Sequence, residues 1–419
     1  MSIFISLDQC ELINPRCLVN VISGGKLHGD GGIWTIENEI KPSDLYCYLY
    51  AKFGKPNGIQ NYLRSDDSDN LIHWDWAFAH EQGIIMIMGL SMRTEVHLLG
   101  DWDFANCSKQ NFIDHIKRDL GNYGKKMSEI RSEVLEDWEV ISNPYRQLRD
   151  SISELQGHLS ALDIDAHADK PLMAAGQHSE KNNEEWSDLF RKYNHGIGLS
   201  MAVRAMTPVL AESFINLLIF ILCRPDIKNN PRLYQNYVRS NIDVKVQSLH
   251  INCIGFRQPV DWTSEPCGQY NSVINERNDM LHGNVVVEKL KFSEIFFNGK
   301  VPVFKKYEGM WQQSMGVAVD AAGIDKVAPD LKAVDEFIEY VFSCLTDDVR
   351  EHVRILINRR DIGINKKTKR LGVLLPETVV DFSCGAVTFP EMEKRQSPSN
   401  DPLLDANGKP FRAQSSTEV

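Results

Sequence analysis

Apolar and polar positions along the chain change their rhythm several times, and each change predicts an element. Residues 43–54, SDLYCYLYAKFG, have helical spacing and end at Gly54. Three runs of strand type follow, LIHWDWAFA, GIIMIMGL and TEVHLLG, separated by glycine, serine and charged turns. Residues 1–105 are therefore expected to form a small α+β domain. The glycine-rich SGGKLHGDGG of residues 23–32 contains a lysine but lacks the spacing of a phosphate-binding loop, and it reads as a flexible loop or hairpin.

Between residues 106 and 165 the rhythm is different. Ile113, Ile116, Leu120, Tyr123, Met127, Ile130, Val134, Trp138 and Ile141 recur at steps of three and four, Asn143-Pro144 interrupts them, and Leu148, Ile152, Leu155, Leu159 and Leu162 resume. That pattern predicts a long helical hairpin or a coiled-coil segment. The polar residues 166–184 read as a linker. Helical spacing returns at 185–195, 200–223, 231–240, 268–282 and 331–357, so residues 185–358 are expected to be mainly α-helical, with strand or loop character at 286–306. Residues 359–394 read as a C-terminal extension, and the Pro/Ser-rich 395–419 as a disordered tail.

Composition narrows the class. A chain of 419 residues with 42% hydrophobic and 25% charged residues is globular and long enough for two or three domains. A net charge of −11 argues against binding nucleic acid through bulk electrostatics; any such contact needs a local basic surface. Nine scattered cysteines, none in a CxxC pair, suggest idle thiols in a reducing compartment. The N-terminus lacks the basic and apolar segments of a signal peptide. FINLLIFILC, the greasiest stretch, is too short to span a bilayer and reads as a core helix, so a cytoplasmic protein without a membrane partner is expected. His73, Asp75 and His80 could suggest a metal, but aromatic and acidic residues alternate on ordinary strands, and no metal is assigned.

The segment that carries candidate chemistry is NSVINERNDMLHGNVVV, residues 271–287. On a helix its apolar face runs through Tyr270, Ile274, Arg277 and Leu281, with Val273 and Met280 beside it. Arg277 thus falls on the stripe that should be buried, where a guanidinium is costly unless an acid or a phosphate meets it. His282 lies in the last turn before Gly283, where the helix dipole favours an imidazolium. Glu212 and Asn216, one turn apart on an otherwise apolar helix, could support Arg277. Glu212 or Glu276 could equally pair with it and leave the arginine structural. Arg232, Arg239, Lys245 and Arg257 make a basic stretch that reads either as a nucleic-acid contact or as a solvated surface, and the denser run Lys366 to Arg370 could touch a nucleic-acid backbone but reads first as a solvated loop.

Arg277-Asn278-Asp279-Met280-Leu281-His282 resembles the R-x4–6-H motif of the HEPN superfamily, and it is the one match of that spacing in the chain. A polar residue often follows the arginine in that family, as Asn278 does here. Asn284 stands where some members carry a tyrosine. The resemblance covers residues 185–350 and not the first 165. It implies a HEPN-like helical bundle and a metal-independent endoribonuclease without a cofactor. The ribose 2′-OH would attack the neighbouring phosphate, leaving a 2′,3′-cyclic phosphate and a 5′-OH. His282 would move protons, Arg277 would stabilise phosphorane charge, and Asn278 would orient the phosphate or the histidine, with Asp279 in support. It further implies a homodimer with a composite site, a toxin or anti-phage role, and a regulatory or antitoxin partner. The alternative is a catalytically silent module of the same kind that binds nucleic acid or mediates assembly.

Overall fold

Three strands build the N-terminal sheet, two of them buried on both faces and the third alternating strictly. In the computed structural model, β3 (Trp74–His80), β4 (Gly83–Gly89) and β5 (Thr94–Gly100) run antiparallel. Trp76 opposes Ile87, which opposes Val96, while Phe78 opposes Ile85, which opposes Leu98. These six share one buried face, and Ala77 and Ile84 point to the other. The structure describes residues 6–24, 29, 31–63, 71–105, 107–165, 180–285, 287, 291, 293–306 and 315–375. The expected disordered tail and most of the expected linker lie outside them.

The chain divides into two units, with the boundary after Asp137. In the first, β1 (Glu11–Leu12) and β2 (Gly32–Ile36) complete a five-stranded sheet in the order β1-β3-β4-β5-β2. Helices α2 (Pro42–Phe53) and α4 (Lys109–Glu133) share the core on one face. Leu18 of α1 (Pro15–Ser23) and Ile59 of α3 (Ile59–Leu63) pack on the other. Lys52 ties these parts together. Its Nζ donates to Asp119 Oδ2 at 2.6 Å, to Asp8 Oδ1 at 2.5 Å and to the Tyr48 hydroxyl at 3.1 Å.

Residues 106–165 do not form the expected hairpin. Ser108 caps α4 through its hydroxyl, and α4 buries Phe112, Ile113 and Ile116 in the first unit. Trp138 and Ile141, spaced as if helical, lie instead on β6 (Trp138–Ser142) in the second unit. Trp, Val and Ile in close succession suit a strand as well as a helix, and a partner strand decides the matter. Asn143-Pro144 then opens α5 (Pro144–Ala161). The Asn143 side-chain oxygen accepts from the amides of Tyr145 and Arg146, and its amide group donates to the carbonyls of Ile357 and Arg359.

The second unit is mainly helical. Its axis is α6 (Glu180–Leu222), a single 43-residue helix that absorbs the end of the expected linker and both helical stretches predicted over 185–223. Pro208 lies within it. Among the described residues α6 is the one helix long and apolar enough to cross a membrane, and 61% of its most apolar window is buried in the unit. Four short helices follow: α7 (Pro225–Lys228), α8 (Pro231–Arg239), α9 (Ile242–Gln247) and α10 (Leu249–Asn252). Helix α11 (Glu265–His282) packs against α6, and β7 (Ile295–Asn298) and β8 (Val301–Phe304) then form a hairpin. Next come α12 (Val317–Ala322), α13 (Val327–Ser343) and α14 (Asp347–Ile357). Residues 331–357 are thus two helices, broken after Ser343. Strand β9 (Asp361–Asn365) joins β6 and β10 (Leu371–Gly372) in a small sheet, so the start of the supposed C-terminal extension belongs to this unit.

Candidate functional site on helix α11

Helix α11 begins after Ser264, carries Pro266 in its first turn, and stops at Gly283 in the left-handed conformation with φ 62°. The amides of Gly283 and Asn284 both donate to the Asp279 carbonyl. A residue with a Cβ would be strained at Gly283, which is why the helix ends one residue after His282. Cys267, Tyr270 and Val273 are buried along the inner stripe. The Tyr270 ring stacks on Phe337 with centroids 4.3 Å apart, and its hydroxyl donates to the Pro208 carbonyl at 3.2 Å.

Arg277 continues that stripe and is half-buried. Its Nε is shielded from solvent without a hydrogen-bond partner, and among the described residues the guanidinium makes no ion pair. It lies close enough to Tyr270 to act on it electrostatically. Burial pushes the Tyr270 hydroxyl up from its ordinary range, Glu212 adds to that rise, and Arg277 opposes it. Leu281, expected on the same stripe, is 54% exposed because the stripe runs out at the helix end. His282 is exposed. Five residues of helix turn it about 140° away from Arg277, at roughly 7.5 Å along the axis. Within one chain the two side chains therefore leave α11 on different sides. Asn278 and Asp279 are half-buried, and the Asp279 carboxylate accepts from the Asn284 amide group at 3.0 Å.

The acids that could have neutralised Arg277 are engaged elsewhere. Glu276 Oε2 accepts from Arg204 Nη2 at 2.7 Å and from Lys326 Nζ at 3.0 Å. Burial would raise its pKa, but these two cations hold it below the ordinary carboxylate range. Arg204 is buried on α6 and also donates through Nε to Asp330 Oδ2 at 2.8 Å and through Nη1 to the Ala322 carbonyl at 3.1 Å. Glu212 and Asn216 do not support Arg277 through a hydrogen bond. Both accept from Lys245 Nζ, at 3.1 and 3.0 Å.

This last contact corrects the basic surface expected from the sequence. Lys245 is buried, 2% exposed, and unavailable to RNA. Helix α9 aims it inward because Lys245 and Val246 are the residues that close its core face. Arg232 and Arg239 are exposed, seven residues apart on one side of α8. Arg257 is exposed but donates from Nε to the Ser343 carbonyl at 3.0 Å. The run Lys366 to Arg370 forms the turn between β9 and β10, with the Arg370 guanidinium 5.2 Å from the centre of the Trp138 ring.

In the first unit, Asp75 is drawn into helix capping rather than metal ligation. Its carboxylate accepts from the amides of Gln60 and Asn61 at the start of α3. His80 stacks on Trp102, and His73 meets the Ser91 hydroxyl. The eight described cysteines are free thiols, all buried except Cys17.

Arg204, Asp330 and Lys326 escape a motif-based reading, although the sequence carries a signal for the first two. Arg204 interrupts an apolar helix one residue after Val203, and Asp330 lies between Val327 and Val334 on the inner stripe of α13. A charge on each of two core-facing stripes points to a buried pair. No known protein family, curated protein or solved structure matches this chain.

Proposed function

We propose that the second unit is a metal-independent endoribonuclease of the HEPN type, with Arg277 and His282 as its reacting pair. The observation that carries this reading is the half-buried Arg277 cation without a counter-ion among the described residues, on a helix whose neighbouring acids are already neutralised. A guanidinium cannot shed its proton to relieve burial, so an external anion is the natural partner, and a planar fork suits a phosphate. The exposed His282 can exchange protons with an RNA 2′ oxygen. One chain holds the two groups about 140° apart around α11 rather than in one cleft, and the resemblance implies that a second copy completes the site. Arg277 of one copy would then meet the scissile phosphate beside the second copy's His282. The 2′ oxygen attacks phosphorus, the 5′ oxygen leaves, and the two histidines divide proton removal and delivery. The toxin or anti-phage role, a regulatory or antitoxin partner and the cytoplasmic location rest on the sequence resemblance.

The same angular separation favours a second reading, a silent module that binds RNA through Arg277 and mediates assembly. Purified protein incubated with total RNA and EDTA separates the two. Cleavage leaving cyclic phosphate ends, lost in His282→Ala and in Arg277→Ala, supports the enzyme. RNA binding without cleavage, weakened only by Arg277→Ala, supports the module.

A further inference from the structure

A strand ordinarily hides one face, but β7 and β8 hide neither. All eight of their residues are exposed. Ile295, Phe296, Phe297, Val301 and Val303 are between 43% and 66% exposed. Phe296 opposes Val303 and Phe297 opposes Pro302. Alternation therefore sets Ile295, Phe297 and Pro302 on one face, and Phe296, Val301 and Val303 on the other. Both faces are apolar. An isolated two-stranded hairpin is marginal in water, and a flat apolar edge is a template for another strand.

The two edges differ. Lys305 N donates to the Glu294 carbonyl at 3.3 Å, which makes residues 294 and 305 a hydrogen-bonded pair. Alternation makes 296/303 and 298/301 bonded pairs as well, so the backbone groups of 295 and 297 on β7, and of 302 and 304 on β8, face outward. Pro302 has no amide hydrogen, so the β8 edge lacks a donor where a new strand would need one. The β7 edge keeps both donors.

We propose that β7 pairs antiparallel with β7 of a second copy across a two-fold axis, giving a four-stranded sheet in the order β8-β7-β7-β8. An antiparallel pair of identical strands is self-complementary, as a two-fold interface requires. The register that uses both outward residues pairs Ile295 with the second copy's Phe297 and sets Phe296 opposite itself. A bilayer suits the hairpin less well. The tip Asn298-Gly299-Lys300 is polar, and an open backbone edge has no partner in hydrocarbon. The inference does not depend on the ribonuclease reading.

The 419-residue chain, run on size exclusion with light scattering, should give twice its 47.7 kDa mass. Phe297→Pro, which deletes an outward donor, and the double variant Phe296→Lys/Phe297→Lys should each halve that mass and keep the wild-type far-ultraviolet dichroism, because the hairpin lies outside the buried cores. Phe296→Cys in a Cys17→Ser/Cys384→Ser background, oxidised with diamide, should run as a covalent dimer on a non-reducing gel, and the background alone should not. Three results overturn the proposal: a monomer at every concentration, a dimer that survives both hairpin variants, or a dimer that Phe296→Cys fails to crosslink. Hairpin-dependent binding of a monomer to phosphatidylserine vesicles would overturn it in favour of a membrane surface.

Discussion

Arg204 Nη2 lies 2.7 Å from Glu276 Oε2, so the acid that precedes Arg277 in the chain is bound to a different arginine. Arg204 also holds Asp330, at 2.8 Å, and Lys326 adds a second cation to Glu276. Four charged side chains from α6, α11, α13 and the turn before α13 thus neutralise one another beside the motif helix. The arrangement fixes the rotation of α11 about its axis and leaves Arg277 outside the network.

Removing the hub of that network leaves the Asp330 carboxylate without its cation and Glu276 with Lys326 alone. Arg204→Met preserves much of the volume but not the charge, and loss of one partner from a buried ionic cluster costs about 3 kcal/mol or more. The urea midpoint of the second unit should fall accordingly, read by tryptophan fluorescence or far-ultraviolet dichroism. Glu276→Gln should cost less, about 1 kcal/mol, because the Glu276 side chain is partly exposed and Arg204 keeps Asp330.

Arg277→Met should behave in the opposite way. No described acid depends on Arg277, so deleting its charge relieves a half-buried cation and should leave the unfolding midpoint unchanged or slightly raised. RNA cleavage should fall by about 100-fold or more, the scale expected when one donor to a developing oxyanion is removed. A large stability loss with intact cleavage would show that Arg277 is structural.

Helix α11 was legible because its stripe, its C-terminal glycine and its misplaced arginine agree with one another. The partners of that arginine's neighbours were not. Glu212 and Asn216, polar and one turn apart on an apolar helix, announce that something polar must reach them, yet nothing local says that it is Lys245. That contact spans 33 residues and depends on the short turns from α7 to α9. Residues 138–141 failed for a related reason. Trp138 and Ile141 keep a helical spacing, and only their pairing with Asn365 and Ile362, more than 200 residues on, makes them a strand.

Lys245 itself should report on stability rather than on RNA. Glu212→Ala removes the carboxylate from a buried ammonium and should cost about 2 kcal/mol, the range for leaving a buried donor unsatisfied. Lys245→Met should be tolerated better than Glu212→Ala, because it removes the buried charge along with its partner's role. Binding of a short RNA by either folded variant, followed by fluorescence anisotropy, should match wild type. A tenfold weakening in Lys245→Met would return this lysine to the RNA surface.

In the first unit, acid should act through Asp119. Burial pushes its carboxyl upward, but hydrogen bonds from Lys52, Tyr48 and Asn122 and the nearby Lys52 charge outweigh that and hold it at about 2. In the unfolded chain an aspartate titrates near 4. A folded value below the unfolded one means that the ionised carboxylate stabilises the fold above about pH 4, and that this contribution is lost as the pH falls toward 2, on the order of 2 kcal/mol. Asp8 is lowered by the same lysine but is mostly exposed, so screening leaves it a small part. Lys52→Met removes the cation on which the shift depends. The stability difference between wild type and Lys52→Met should therefore be largest near neutrality and shrink between pH 4 and pH 2, followed by amide hydrogen exchange in β3 to β5. A difference that stays constant across that window would mean that Lys52 anchors the sheet and its helices by packing alone.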